Sequence, residues 1–287
     1  MRRSGIPASI APLLEERVDR AFVADSVRAV TARDPIATRA RLRLIVSCCD
    51  LTTLEPGDTP EKVEALARRA LRPVPEDPAC PSVAAVCVLP HLVGTALSVL
   101  EGSPVEVACA TGDFPAGVET TVVKQAQIRA ARAAGAQEID AVANRALLDE
   151  PGSFLDEVRA LKDAAGDAPL KVILETGELG DLDRVRRAAV LAAWAGADTI
   201  KMSTGKSAVG ATPEAAFVMA RVVSEIRRTT GRAVGIKVAG GIRTAVDAGR
   251  YVEIVDTALG AGWLRPKLFR IGASSLLDDV ADQINRL

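Results

Sequence analysis

Asp198-Thr199-Ile200-Lys201-Met202-Ser203-Thr204-Gly205-Lys206 reads as a strand that runs into a lysine and turns at a glycine. Ala211-Thr212-Pro213-Glu214 then opens a helix. Thr212 suits its N-cap, and Pro213 sits at the first helical position, where no N–H partner is needed. Alternation along Asp198 to Met202 places Ile200 and Met202 on one face and Thr199, Lys201 and Ser203 on the other. A lysine at the carboxyl end of a strand is an unusual core choice. Either its ammonium reaches solvent past the strand end, or it works inside a site.

The same strand, turn and helix recur on both sides of this stretch. Strands are expected at Leu42 to Cys48, Ser82 to Val88, Val105 to Ala110, Glu138 to Val142, Leu170 to Leu174, Asp198 to Met202, Ala233 to Val238 and Leu268 to Ile271. Helices are expected from Thr59-Pro60-Glu61 through Ala70, from His91 to Leu100, up to Ala134, from Asp181 to Ala195, and from near Ser274. Eight β-then-α units over roughly 240 residues match a (β/α)8 TIM barrel in count and size. A doubly wound sheet is the alternative, but it more often has fewer strands and a glycine-rich first turn. Here the first turn reads Cys49-Asp50-Leu51-Thr52, and no G-x-G-x-x-G or G-x-x-x-x-G-K-[ST] stands at any strand end. Residues 1–40 read as an N-terminal helical extension, with Leu13, Val18, Phe22, Val23 and Val27 on one face. Residues 41–287 are the expected barrel.

Composition narrows the function. Of 287 residues, 48% are hydrophobic and 25% charged, enough to bury a large core. The net charge of −1 gives no reason to expect nucleic acid or an anionic membrane as a partner. Five cysteines without metal-type spacing suit a reducing cytoplasm. Arg2 and Arg3 are followed by no apolar signal core, and no apolar run is long enough to span a membrane. The single histidine, His91, leaves a Ser-His-Asp triad or a multi-histidine zinc site with almost nothing to draw on, while a carboxylate-ligated magnesium stays open. His91 itself reads as a surface or cap residue beside Pro90.

In a barrel, chemistry sits at the carboxyl ends of the strands. The residues expected there are Asp50, Thr52, Cys87, Asp140, Glu175, Lys201 and Lys237. In strand seven, Ala233, Gly235 and Lys237 share one face, and small residues beside a lysine suit a crowded interior. Two inward lysines on adjacent strands must lower the proton affinity of one member. A second ammonium about 4 Å away contributes roughly 4 kcal/mol at an effective dielectric of 20, about three pKa units. The neutral amine thus made available can attack an aldehyde or ketone, and the resulting protonated imine draws electrons from the neighbouring carbon. Asp140 is the candidate acid and base for the proton transfers. Which lysine forms the imine is open on these grounds.

Glycines and hydroxyls follow strands six to eight: Thr204-Gly205-Lys206, Gly240-Gly241 with Arg243, and Gly272-Ala273-Ser274-Ser275. Backbone N–H groups in such loops make anion sites, and this part of a barrel is a common phosphate site.

At this point the chain resembles the deoxyribose-phosphate aldolases. The segments that carry the resemblance are Asp50-Leu51-Thr52-Thr53-Leu54, Val86-Cys87-Val88-Leu89-Pro90, Glu138-Ile139-Asp140, Leu170 to Leu179, Ile200-Lys201 with Ser203-Thr204-Gly205-Lys206, Gly235-Ile236-Lys237 with Ala239 to Thr244, and Gly272 to Leu277. The resemblance implies a (β/α)8 barrel and a metal-free aldolase. Such an enzyme cleaves 2-deoxy-D-ribose 5-phosphate to acetaldehyde and D-glyceraldehyde 3-phosphate, reversibly, in deoxyribonucleotide catabolism. It implies that Lys201 forms the Schiff base, that Lys237 is the second lysine and that Asp140 is the catalytic aspartate. It assigns the phosphate to Gly205, Lys206, Gly240, Gly241, Arg243, Ser274 and Ser275, and lines the pocket with Asp50, Thr52 and Cys87; Thr204 is a further expected substrate-binding residue. It also suggests a homodimer. The chain departs from the family pattern at Val238, at Asp113, after Asp140 in Ala141 to Arg145, and at its end, Asn285-Arg286-Leu287, which has no tyrosine. A non-catalytic sugar-phosphate sensor is the reading from a different class, and the intact Asp140, Lys201 and Lys237 set speaks against it.

Overall fold

The computed structural model describes residues 6, 8–33, 35–36 and 38–287, so Arg2 and Arg3 lie outside the described residues. Eight parallel strands close into a barrel in sequence order: β1 (Cys49–Thr52), β2 (Ala85–Val88), β3 (Glu106–Thr111), β4 (Glu138–Val142), β5 (Leu170–Ile173), β6 (Thr199–Lys201), β7 (Gly235–Ala239) and β8 (Phe269–Ala273). The helices are α1 (Ala11–Glu15), α2 (Arg20–Thr31), α3 (Arg39–Ser47), α4 (Pro60–Leu71), α5 (Val93–Leu100), α6 (Thr121–Ala133), α7 (Pro151–Ala165), α8 (Leu182–Ala195), α9 (Pro213–Thr230), α10 (Ala245–Leu259) and α11 (Leu276–Arg286). The outward residues of the strands and the inner faces of the helices make one continuous apolar layer, from Val86 and Ile139 to Ile254 and Leu276. Burial on both sides is what a wholly parallel sheet requires. Among the described residues no helix is long and apolar enough to cross a membrane.

The first strand lies later than the sequence suggests. Leu42 to Cys48 belongs to α3, not to a strand, and β1 begins at Cys49. The apolar run Leu44-Ile45-Val46 imitates a buried strand, but the buried positions are Leu42, Ile45 and Val46, which is helical spacing. The Thr38 hydroxyl caps this helix by accepting from the Arg41 N–H at 3.2 Å. The division expected at residue 40 therefore falls inside the first turn of α3.

Ahead of α3, the single amphipathic face is two helices. Asp19 ends the break between them and caps α2 by accepting from the Phe22 N–H at 2.9 Å. Val23, Val27 and Val30 are buried against α9 and α10, whereas Phe22 turns outward and stacks on Phe217 under Arg221. His91 is exposed in a short 3-10 turn before α5.

Two close approaches shape the carboxyl end of the barrel. Gly210 and Gly240 touch backbone to backbone, and a Cβ on Gly210 would stand 2.4 Å from the Gly240 carbonyl oxygen. The loops after β6 and β7 thus interlock. On β8, a Cβ on Gly272 would stand 3.2 Å from Cε of Lys237, so the absent side chain leaves the lysine its channel.

Candidate active site

Alternation aims one set of strand residues into the barrel, and register stacks them. Lys201 on β6 pairs with Lys237 on β7, Asp140 on β4 with Lys171 on β5, and Lys237 with Arg270 on β8. Asp50 on β1 lies beside Gly272. All of these charged side chains are buried. Inside the wall they meet as one ion cluster.

Asp140 is its centre. One carboxylate oxygen accepts from Lys201 Nζ and from Lys237 Nζ, each at 2.8 Å, and the other accepts from Lys171 Nζ at 2.8 Å. The Cys87 thiol approaches the first oxygen at 4.0 Å. Lys237 Nζ also donates to Asp50 at 2.5 Å. Burial alone pushes the Asp140 carboxyl up, but Lys171, Lys201 and Lys237 outweigh it and hold the group well below the usual carboxylate range. For Lys237, burial favours loss of the proton, and Asp140 and Asp50 outweigh it, so its pKa is raised. The like-charge lysine pair expected from the sequence is therefore embedded among carboxylates. Lys237 is the member they keep charged.

Three participants are absent from the sequence-derived set: Lys171, Glu138 and Arg270. Lys171 bridges Asp140 and Glu138, the latter at 2.6 Å. Arg270 spans Asp50 at 2.5 Å and Glu138 at 2.6 Å. Glu138 lies one inward position before Asp140 on β4, and Lys171 and Arg270 lie four residues before Glu175 and Ser274, deeper in the barrel. The signal is present in Leu170-Lys171-Val172-Ile173, where a lysine interrupts an otherwise apolar buried strand in the inward register.

Above the cluster opens a cavity of about 450 Å³. Lys201 and Lys237 form its floor, and Thr52, Thr204, Gly205, Lys206, Gly240, Gly241, Arg243 and Ser274 line it. Asp50, Cys87 and Asp140 lie beneath the floor, fully buried. Ser275 differs from expectation: it is exposed at the N-cap of α11 and outside the cavity lining. Lys206 and Arg243 stand at the rim, where Lys206 Nζ pairs with Glu55 at 2.7 Å. Gly205, Gly240 and Gly241 have positive φ, which turns their loops over the mouth.

Glu175 has a supporting part that its position at the end of β5 does not announce. Its backbone is left-handed, with φ of 51°. One carboxylate oxygen accepts from the Thr204 N–H at 3.1 Å and the Thr204 hydroxyl at 2.5 Å, and the other accepts from Ser207 at 2.9 Å. The loop after β6 is thereby tied to β5.

Comparison with known proteins agrees with this arrangement. Residues 44–281 match the family model described as DeoC/LacD family aldolase. A Homo sapiens protein named deoxyribose-phosphate aldolase is 42% identical over 83% of this chain and 79% of its own length. One of the same name from Bos taurus is 38% identical over 98% and 93%. Among solved structures, a tetrameric deoxyribose phosphate aldolase from Aeropyrum pernix superposes with a TM-score of 0.68 at 26% identity, covering 91% of this chain and 98% of that one.

Proposed function

The chain belongs to the DeoC/LacD aldolase family, and on that premise we propose that it cleaves 2-deoxy-D-ribose 5-phosphate to acetaldehyde and D-glyceraldehyde 3-phosphate through an imine on Lys201. The observation that carries the reading is Lys201 at the floor of the cavity, sharing one oxygen of Asp140 with Lys237. Lys201 in its neutral form attacks C1 of the open-chain aldehyde, and water leaves as the imine forms. The protonated imine accepts the electron pair of the C2–C3 bond as the C3 hydroxyl loses its proton. Glyceraldehyde 3-phosphate departs, and the enamine left on Lys201 takes a proton at C2. Hydrolysis then frees acetaldehyde and the amine. Asp140, within 2.8 Å of both lysines, is placed to relay these protons. The same proposal takes α1 and α2 as a helical cover on the barrel, the cytoplasm as its place, deoxyribonucleotide breakdown as its pathway and a homodimer as its assembly. Acetaldehyde release from deoxyribose 5-phosphate, followed with a coupled alcohol dehydrogenase, tests the activity. No release from this sugar, with release from another phosphorylated aldose, rejects the substrate.

Two expected outcomes belong to this reading. Thr204, Gly205, Lys206, Gly240, Gly241, Arg243 and Ser274 line the cavity, with Ser275 outside its lining, and are assigned the substrate phosphate. Ser274→Asp sets a negative charge against it, so KM for deoxyribose 5-phosphate is expected to rise about tenfold or more. KM for unphosphorylated deoxyribose is expected to change little. Equal effects on both sugars place the phosphate elsewhere. Second, the imine serves as electron sink, a task that a metal performs in other aldol cleavages. Activity is expected to survive prolonged treatment with excess EDTA. Loss of more than half of it, restored by a divalent cation, contradicts this.

A further inference from the structure

The ion cluster passes through the barrel from one mouth to the other. Lys201 and Lys237 border the cavity at the carboxyl ends of the strands. Lys171, Glu138 and Arg270 border a second cavity, of about 570 Å³, at the amino ends. Between them run Arg270 to Asp50, Asp50 to Lys237, Lys237 to Asp140, Asp140 to Lys171, and Lys171 to Glu138, which returns to Arg270. Every strand faces this space with a titratable or charged group. They are Asp50 on β1, Cys87 on β2, Glu106 on β3, Glu138 and Asp140 on β4, Lys171 on β5, Lys201 on β6, Lys237 on β7 and Arg270 on β8. Cys87 is a buried thiol whose ionisation is suppressed by burial. Glu106 lies at the lower mouth facing Glu138, Arg270 and Lys171 without bonding to them, and burial together with Glu138 pushes its carboxyl up.

Within the bonded cluster, four cations face three carboxylates. Lys171, Lys201, Lys237 and Arg270 stand against Asp50, Glu138 and Asp140. An enclosed cluster with net charge is costly, and it balances when one cation gives up its proton. Arg270 cannot, because a guanidinium stays protonated in proteins. Lys171 has three carboxylates within reach, at 2.6, 2.8 and 3.8 Å. Lys237 has two, at 2.5 and 2.8 Å. Lys201 has one, at 2.8 Å, and shares it. Lys201 therefore loses least attraction by giving up a proton.

We infer that Arg270 and Glu138, which do not border the substrate cavity, are positioning residues that set the proton count of the cluster, and through it leave Lys201 as the amine without a proton. The inference rests on the imine reading of Lys201. Arg270 supplies a charge that cannot be titrated away, and Glu138 fixes that charge and Lys171 in place through bonds at 2.6 Å to each. Removing either charge changes the number of protons that balances the cluster, in opposite directions.

The test is the pH dependence of kcat/KM for acetaldehyde release in the wild type, Arg270→Gln, Glu138→Gln and the double variant. With Arg270→Gln, three cations face three carboxylates while Lys201 keeps its proton. The acid limb is expected to move up by about one to two pH units, and activity at pH 7 to fall about tenfold to hundredfold. With Glu138→Gln the acid limb is expected to move down by a similar amount. The double variant restores the one-cation excess, and its midpoint is expected to return close to that of the wild type. Midpoints unmoved in folded variants, or moved in the same direction by both, overturn the inference. If Arg270→Gln does not fold by circular dichroism, Glu138→Gln decides alone, since a midpoint that fails to fall is contrary. Borohydride trapping with acetaldehyde at pH 9 separates the two readings. No adduct on Lys201 of the wild type removes the imine reading and this inference with it. An adduct there, with unmoved midpoints, overturns the charge count only.

Discussion

Lys201→Leu is expected to lower kcat/KM for acetaldehyde release by about five orders of magnitude or more, the scale on which loss of a covalent nucleophile acts. The fold is expected to survive. Lys201 makes one bond in the cluster, to Asp140, and Asp140 keeps Lys171 and Lys237. The three remaining cations then face three carboxylates, so the buried charge is balanced without proton loss. Urea unfolding and kinetics together check this. A variant that retains even one hundredth of the activity contradicts the assignment of Lys201. An inactive variant that is also grossly destabilised leaves no support for the charge balance drawn here.

The second large effect concerns Lys237. Lys237→Leu removes a cation that bonds both Asp50 and Asp140. The cluster then balances only while Lys201 keeps its proton, and the attacking amine becomes scarce at neutral pH. Activity at pH 7 is expected to fall by roughly two to three orders of magnitude, from an interaction of about 4 kcal/mol between charges near 4 Å at an effective dielectric of 20. The sign of the pH dependence follows. A positive neighbour favours the neutral amine, so its removal moves the acid limb upward, and the variant is expected to recover in part as pH rises toward 9 or 10. Steady-state rates from pH 6 to 10 check this. A folded Lys237→Leu enzyme equally inactive at every pH would falsify the electrostatic role. It would mark Lys237 as a direct proton donor in the relay with Asp140.

The barrel was legible because its signals are local. β4 runs over the same five residues, Glu138 to Val142, in the sequence pattern and in the structure. Glycines that end α8 and α9 on the left-handed side of φ are visible as letters. The first strand was not legible, because Leu44-Ile45-Val46 fits either a buried strand or a buried helix, and only the packing of α3 on α10 and α11 decides. Helices α7 and α10 were not among the expected elements, although Pro151 stands in the first turn of α7 and Thr244 caps α10 by accepting from the Asp247 N–H at 3.1 Å. Among site residues, Lys201 ends β6, and Asp140 and Lys237 are charged breaks in the middle of the short strands β4 and β7. Lys171, Glu138 and Arg270 stand deeper. Their part emerges only when three strands bring their charges within bonding distance, a fact of closure that no single segment contains. Glu175 is similar, since its partners Thr204 and Ser207 belong to the next loop.

The central claim is the imine on Lys201, and its most direct test is reductive trapping. The enzyme is incubated with acetaldehyde and sodium borohydride, digested, and read by mass spectrometry. The expected result is an added ethyl group on the peptide that contains Lys201, blocked by prior incubation with deoxyribose 5-phosphate and borohydride, which should label the same residue with the sugar. A label on Lys206 or Lys237 in place of Lys201, or no label while the enzyme is active, contradicts the account.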